Sequence, residues 1–236
     1  MSTAAPAFST SPYPGLRPFH RHEADIFFGR EAQTDQLLRK LQSTRFLAVV
    51  GPSGCGKSSL VRAGMIAGLE AGYMAEAGSR WRIAEMRPGN RPLRSLAETL
   101  VASADLLPDW GGTSAPVPLV EAGLRSGPRG VIELLDGSPL DDGSNLLLLV
   151  DQFEEIFRFR REGDPDEAEA FVSLLLETAR VLARHPLPAT VAALNGHAGI
   201  LLEALLLEFT ALFQDPQCLP PHRHLSHRIR LVPGPE

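Results

Sequence analysis

The run Gly51-Pro52-Ser53-Gly54-Cys55-Gly56-Lys57-Ser58 places a glycine, four intervening residues, a second glycine, a lysine and a hydroxyl in succession. Each residue type has a use around a polyphosphate. Glycines let the backbone turn tightly, so that successive N–H groups point into one concavity. Lys57 supplies a full positive charge, the Ser58 hydroxyl can ligate Mg2+, and a helix opening at Lys57 adds the partial charge of its N-terminus. With 21 glycines and two lysines, Lys40 and Lys57, in 236 residues, the spaced pattern arises by chance in on the order of one in several hundred such chains. Gly51 to Gly56, Lys57, Ser58 and the following Ser59 are therefore the candidate nucleotide-binding residues, with Cys55 a small loop residue whose thiol sits beside a helix start and is open to alkylation.

A nucleotide held this way needs a second oxygen ligand for Mg2+, and the expected source is an aspartate ending a neighbouring parallel strand. Leu146-Leu147-Leu148-Leu149-Val150-Asp151 supplies that pattern. Ser58 and Asp151 are the candidate metal ligands. The place directly after the aspartate, where a water-orienting base often stands, holds Gln152, whose amide accepts no proton. Glu154 and Glu155 are the candidate catalytic bases; each also fits a solvated acid in the first turn of a helix. Nucleotide binding is thus better supported by the sequence than hydrolysis.

The surrounding pattern supplies the elements such a site requires. Phe46 to Val50 is a short apolar run ended by Gly51, as in a strand buried on both faces, and Lys57 to Leu69 carries apolar residues at helical intervals. Glu31 to Gln42 reads as an amphipathic helix ahead of that strand, Trp81 to Met86 as a second strand stopped by Pro88-Gly89, and Pro92 to Ala104 as a helix. Leu107 to Ser126, rich in Pro, Gly, Asp and Ser, reads as an irregular connection before a short helix at Gly130 to Leu135. Glu154 to Arg160 and Asp166 to His185 complete the helices. Alternation of strands and helices predicts an α/β chain with a mostly parallel, doubly wound sheet.

Composition narrows the function. A formal charge of −5 gives no basic footprint for nucleic acid or an anionic membrane. The longest apolar stretch, Ile200 to Phe213, is interrupted by Glu203 and Glu208 and falls short of the 18 or so residues that span a bilayer. Cys55 and Cys218 lie far apart, and Met1 to Ser11 lacks a secretory pattern, which predicts a cytoplasmic protein without disulfides. The arginine-heavy, alanine-rich composition fits a GC-rich bacterial genome. The absence of any Asn-Lys-x-Asp tetrad argues against a GTPase.

Four segments carry a family resemblance: Pro12-Tyr13-Pro14-Gly15-Leu16-Arg17-Pro18-Phe19, then Phe27-Phe28-Gly29-Arg30-Glu31, then Phe46 through Gly64, and Leu147 through Phe157 with its Asp151-Gln152-Phe153-Glu154-Glu155 wording. Together they resemble the NTPase domain of the novel STAND group (nSTAND1 type) of bacterial signal-transduction ATPases, within the AAA+-like P-loop class. The resemblance implies a P-loop NTPase fold, ATP and Mg2+ as ligands, and a signalling switch with slow or regulated hydrolysis. It also implies protein partners engaged through domains absent from this chain, and nucleotide-dependent oligomerisation. In such domains the Phe-Gly-Arg-Glu segment lies near the adenine, which makes Phe28, Gly29 and Arg30 base-proximal candidates; a simple turn into the helix at Glu31 is the alternative.

The domain reading is a disordered N-terminus over 1–11, the NTPase domain over 12–188, and a divergent segment over 189–236. After Pro188 the family's sensor strand, reading like Thr-Leu-Arg-x-Asp-Phe, is replaced by Ala189 to Leu194 and then Asn195-Gly196-His197-Ala198-Gly199. Asn195 is a stand-in candidate for the polar strand-end sensor. If Asn195 to Gly199 are encoded AAC GGC CAT GCG GGC, a one-base shift of frame gives Thr-Ala-Met-Arg-Ala, close to the family's wording, so the segment reads as truncated or frame-shifted, an expectation that the gene's codons test. Pro216 to Glu236 shows no element periodicity, and His222, His224 and His227 read as a solvated tail more readily than as a metal cluster. The competing functional readings are an AAA+-like ATPase active on its own, which usually takes an arginine from a neighbouring subunit, and a non-catalytic nucleotide-binding or interaction fragment.

Overall fold

The structure is a computed structural model; it describes residues 14–43, 46–74, 80–103, 106–107, 116–136, 145–184, 189–195 and 228–230. The expectations for the N-terminus over 1–11, the apolar stretch 200–213 and the histidines at 222, 224 and 227 lie outside the described residues.

A 3-10 turn over Arg21–Ile26 leads to helix α1, Glu31–Ser43. Strand β1, Phe46–Val50, follows, and the chain then enters α2, continuous over 57–70, with Lys57–Ser59 and Ala67–Glu70 α-helical and Leu60–Ile66 in π geometry. Next come β2 (Trp81–Met86), α3 (Pro92–Ala102), α4 (Val117–Arg125), α5 (Gly130–Leu135) and β3 (Asn145–Val150). The chain continues through α6 (Glu155–Glu162), α7 (Pro165–Arg184), β4 (Ala189–Asn195) and β5 (Arg228–Arg230). The strands form one five-stranded sheet in the order β2-β3-β4-β1-β5, and every pairing is parallel.

The apolar run of β3 explains the layering. All six of its residues are buried, because both faces of the strand are covered. Leu147 and Leu149 pack with Leu37 and Leu41 of α1 and Val61 and Met65 of α2. Leu146, Leu148 and Val150 point the other way, into a cluster containing Leu96 of α3, Leu124 of α4 and Phe171 of α7. The sheet is thus sandwiched between two helical layers, each burial of a leucine contributing about 1.5–3 kcal/mol. Close approach of α1 to α2 depends on Gly64, where an added Cβ would collide with Thr34 Oγ1.

Three expectations need correction. The strand of Asp151 is not a neighbour of β1: β4 lies between them, with Val50 in register with Asn195 and Val150 with Ala193. The stretch 107–126 is not wholly irregular, since Val117–Arg125 is helical. Pro116 and Pro118 read as breakers, but they sit at the cap and the first turn, where a missing N–H costs nothing. Gly123, also a breaker by type, lets Leu134 of α5 come within 3.0 Å of where a Cβ would stand. Finally, the tail contributes β5, which pairs with β1 through Ala48 to Val50; three residues are too few to show a period of two.

Candidate functional site

At the C-terminal end of β1 the chain passes through Gly54 and Gly56, whose φ values of +79° and +85° lie in the left-handed region that glycine adopts without strain. These two residues bend the backbone into a cradle ending where α2 begins. Lys57 folds back over it, its Nζ donating to the carbonyls of Gly51 and Pro52 at 2.9 Å each. Ser58, one residue into the helix, donates from Oγ to Asp151 Oδ1 at 3.2 Å. The side chains therefore meet although a strand separates the backbones that carry them.

Asp151 is 3% exposed and accepts several donors. Its Oδ1 also receives the N–H of Gln152 at 3.0 Å, and Oδ2 receives Arg62 Nη2 at 2.8 Å. Arg62 lies four residues beyond Ser58, on the same face of α2. It bonds Glu85 of β2 as well. Burial alone would lower the Arg62 pKa, but the hydrogen bonds and charges of Glu85 and Asp151 outweigh it and the pKa is raised. Gln152 has φ +55°, unusual for a residue with a Cβ, and turns the chain sharply off the end of β3.

These groups face a cleft of about 720 Å³, within the range of small-molecule sites. Ser53, Gly54, Gly56, Lys57, Ser58 and Ser59 form its floor, and Asp151, Gln152 and Glu154 one end. Its second wall is Pro14 to Phe19, not Phe28, Gly29 and Arg30, which are absent from the lining. Phe28 is 76% exposed, and the N–H of Gly29 donates to Glu31 Oε1 at 2.9 Å, a local arrangement at the entry to α1. The two carboxylates after Gln152 diverge. Glu154 lines the cleft, whereas Glu155 Oε2 accepts the N–H of Gly89 at 2.9 Å, on the turn after β2.

The second wall is fastened to the first. The N–H of Phe19 donates to Ser59 Oγ at 3.1 Å, and the Phe19 ring packs on Phe27 with centroids 5.4 Å apart. Arg17 makes a bidentate pair with Glu23, at 2.7 and 2.6 Å, and Glu23 Oε2 also accepts the His20 N–H. The Arg17 hydrogen bonds, followed by that of His20, hold the Glu23 carboxyl down at about 2.

Sequence reasoning missed Arg62, Arg87 and the Pro14 to Phe19 wall as site elements. For Arg62 the signal was a charge inside the otherwise apolar face of α2; for Arg87 it was a charged residue directly after a strand, the same signal that identified Asp151. Among the described residues no group of three His, Cys, Asp or Glu side chains is arranged to hold a metal, and no helix is long and apolar enough to cross a membrane.

A parallel sheet with a glycine cradle at the end of one strand, a lysine and serine opening the next helix, and an aspartate beyond the inserted strand define a P-loop NTPase. The chain belongs to the novel STAND NTPase 1 family, whose sequence model matches residues 12–198. Proteins of Brucella abortus and Brucella suis that are named for ATP binding are similar over a shorter stretch, 51% identical across 43 residues. That match is 18% of this chain and 12% of the length of those relatives. Among solved structures, a Walker-type ATPase of Pyrococcus abyssi shares the fold, with a TM-score of 0.51 and 17% identity over 92% of this chain and 57% of that one. The Aeropyrum pernix ORC2 protein, solved in ADPNP–ADP complexes, aligns with a TM-score of 0.47 and 18% identity, over 93% of this chain and 49% of its own. The chain thus spans about half the length of these solved structures.

Proposed function

We propose that this chain binds ATP with Mg2+ in the cleft and hydrolyses it slowly, its nucleotide state serving as a signalling switch. The observation that carries the reading is the 3.2 Å contact between Ser58 Oγ and Asp151 Oδ1 at the foot of a glycine cradle. Two hard oxygen donors converge there, which is the donor chemistry Mg2+ selects. Ser58 and Asp151 would hold the ion, with water and phosphate oxygens completing its shell. When bound, Mg2+ supplies positive charge to the phosphate oxygens.

The chain's own groups account for the rest. The loop N–H groups receive phosphate oxygens, and Lys57 exchanges its two carbonyl partners for the phosphate chain. Pro14, Leu16 and Pro18 give the base an apolar wall; Leu16 is fully exposed and unpaired with any core. In this assignment the base-side contacts fall to that wall in place of Phe28, Gly29 and Arg30. Glu154 orients a water and accepts its proton. The water oxygen bonds to the terminal phosphorus, the bond to the bridging oxygen breaks, and its electron pair leaves with ADP. The switch role and protein partners acting through other modules are supported by family membership, and a cytoplasmic setting by the two distant cysteines and the N-terminus without a secretory pattern. An ATPase active on its own is the second reading, favoured by the placement of Glu154 in the cleft.

Titration of the purified chain with labelled ATP, ADP and GTP, with and without Mg2+, tests the assignment. Tight ATP binding that needs Mg2+ and collapses in Lys57→Ala supports it; undiminished ATP affinity in Lys57→Ala overturns it.

A further inference from the structure

Arg87 directly follows β2 and lines the cleft beside Asp151. Its side chain is 55% exposed, and its Nη2 lies 3.6 Å from Asp151 Oδ2, beyond hydrogen-bond length. That carboxylate already has closer partners in Arg62 at 2.8 Å and Ser58 at 3.2 Å. Asp151 therefore has little need of a second arginine. Arg87 is a cation held at the metal end of a phosphate cleft by a loose ion pair.

The turn that presents Arg87 is fixed from both sides. Glu155 Oε2 accepts the N–H of Gly89 at 2.9 Å, and Ser95 Oγ donates to the carbonyl of Pro88 at 3.1 Å. Gly89 has φ +59°, a conformation glycine takes at no cost. A surface arginine with no role needs no such bracing, and the carboxylate that braces it comes from the first turn of α6, directly after the residue that faces the cleft.

We infer that Arg87 contacts the terminal phosphate of the bound nucleotide, so that the chain distinguishes triphosphate from diphosphate with an arginine of its own. The inference rests on the nucleotide reading of the cleft and deepens it. A divalent cation beside Asp151 repels the guanidinium that now faces that carboxylate, while an added phosphate attracts it. The planar fork of arginine suits two phosphate oxygens at once. A diphosphate offers no terminal phosphate at that place, so Arg87 gains no comparable partner from it. Glu155 is in this scheme a positioning residue, acting through the Gly89 N–H.

The test is equilibrium titration of the whole 236-residue chain with a fluorescent non-hydrolysable ATP analogue and with fluorescent ADP, both in saturating Mg2+. Arg87→Ala is expected to weaken the triphosphate about ten- to a hundredfold while changing ADP by less than about twofold. Arg87→Lys should recover part of the difference, since it keeps charge without the fork. Glu155→Ala should lower the triphosphate preference, and Glu155→Gln, whose amide oxygen still accepts the Gly89 N–H, should restore it. Equal losses for both nucleotides in Arg87→Ala would overturn the proposal, as would an unchanged ratio. A preference that rises with protein concentration and ignores Arg87→Ala would assign the contact to a neighbouring copy instead. If the unmutated chain binds neither nucleotide, or if Lys57→Ala binds as well as the parent, the phosphate-cleft reading itself falls and this one falls with it.

Discussion

Arg62 holds Asp151 from behind: its Nη2 donates to Oδ2 at 2.8 Å, leaving Oδ1 directed at Ser58. A single buried cation on the phosphate-loop helix thereby fixes the carboxylate of a strand two positions away in the sheet. The pair is nearly dry, with 10% and 4% of the side chains exposed. Removing one partner leaves an uncompensated buried charge, which costs far more than the pair contributes.

Arg62→Met is accordingly expected to lower unfolding free energy by about 3 kcal/mol or more in urea titration. Glu85→Gln removes only the charge at the exposed end of the same arginine, its amide oxygen still accepting, and should cost no more than about 1 kcal/mol. Equal effects for the two variants would show that Glu85, rather than Asp151, is what Arg62 serves.

The two glutamates after Gln152 should behave differently. Glu154→Gln is expected to slow ATP turnover by about a hundredfold or more while leaving ATP affinity within about twofold. Glu155→Gln should keep turnover near the parent value, because its side chain holds the Gly89 turn and still can. Single-turnover assays of both variants decide the matter, and the reverse ranking would move the base to Glu155.

Much of this was legible in the sequence, and the misses have physical causes. The strands β1 and β3 announced themselves because burial on both faces demands uninterrupted aliphatics, as in Leu146 to Val150. The glycine cradle and Asp151 were legible because phosphate and metal chemistry restrict residue types at fixed spacing. The insertion of β4 between β1 and β3 was not, since strand order is set by crossover packing that local patterns do not encode. Arg62 and Arg87 escaped because an arginine carries no spacing rule of its own; only the fold brings both to one carboxylate. The helix Val117–Arg125 was hidden by prolines and a glycine whose positions, at its start and at the α5 contact, make them harmless.

The wall over the cleft should loosen in acid. Glu23 has a folded-state pKa of about 2, below its ordinary value of 4.5, so between those values the unfolded chain binds more protons than the folded one. Stability from the Arg17–Glu23 pair is therefore complete above about pH 4.5 and is lost as the pH falls toward about 2. Glu23→Gln should flatten that part of the stability curve in pH-dependent urea unfolding. It should also weaken nucleotide binding at neutral pH, because Arg17 and the Phe19 contact to Ser59 share the same segment. A curve as steep in Glu23→Gln as in the parent would assign the acid sensitivity elsewhere.

Gly64 offers a test of the packing beneath the site. Replacing glycine by alanine in a helix interior gains about 1 kcal/mol of propensity, but here the new methyl would strike Thr34 Oγ1. Overpacking of this kind costs about 1–3 kcal/mol, and Thr34 is short and β-branched, so it cannot swing away as a long side chain would. Gly64→Ala is thus expected to be net destabilising. Thr34→Ala removes the obstacle, and in that background Gly64→Ala should turn neutral or stabilising. The double-mutant cycle would then show a coupling of about 1 kcal/mol or more. Because α2 carries Lys57, Ser58 and Arg62, the single variant should also raise the ATP dissociation constant, and the Thr34→Ala background should reverse that as well. Additive effects on stability would mean that α1 does not set the position of the phosphate-loop helix.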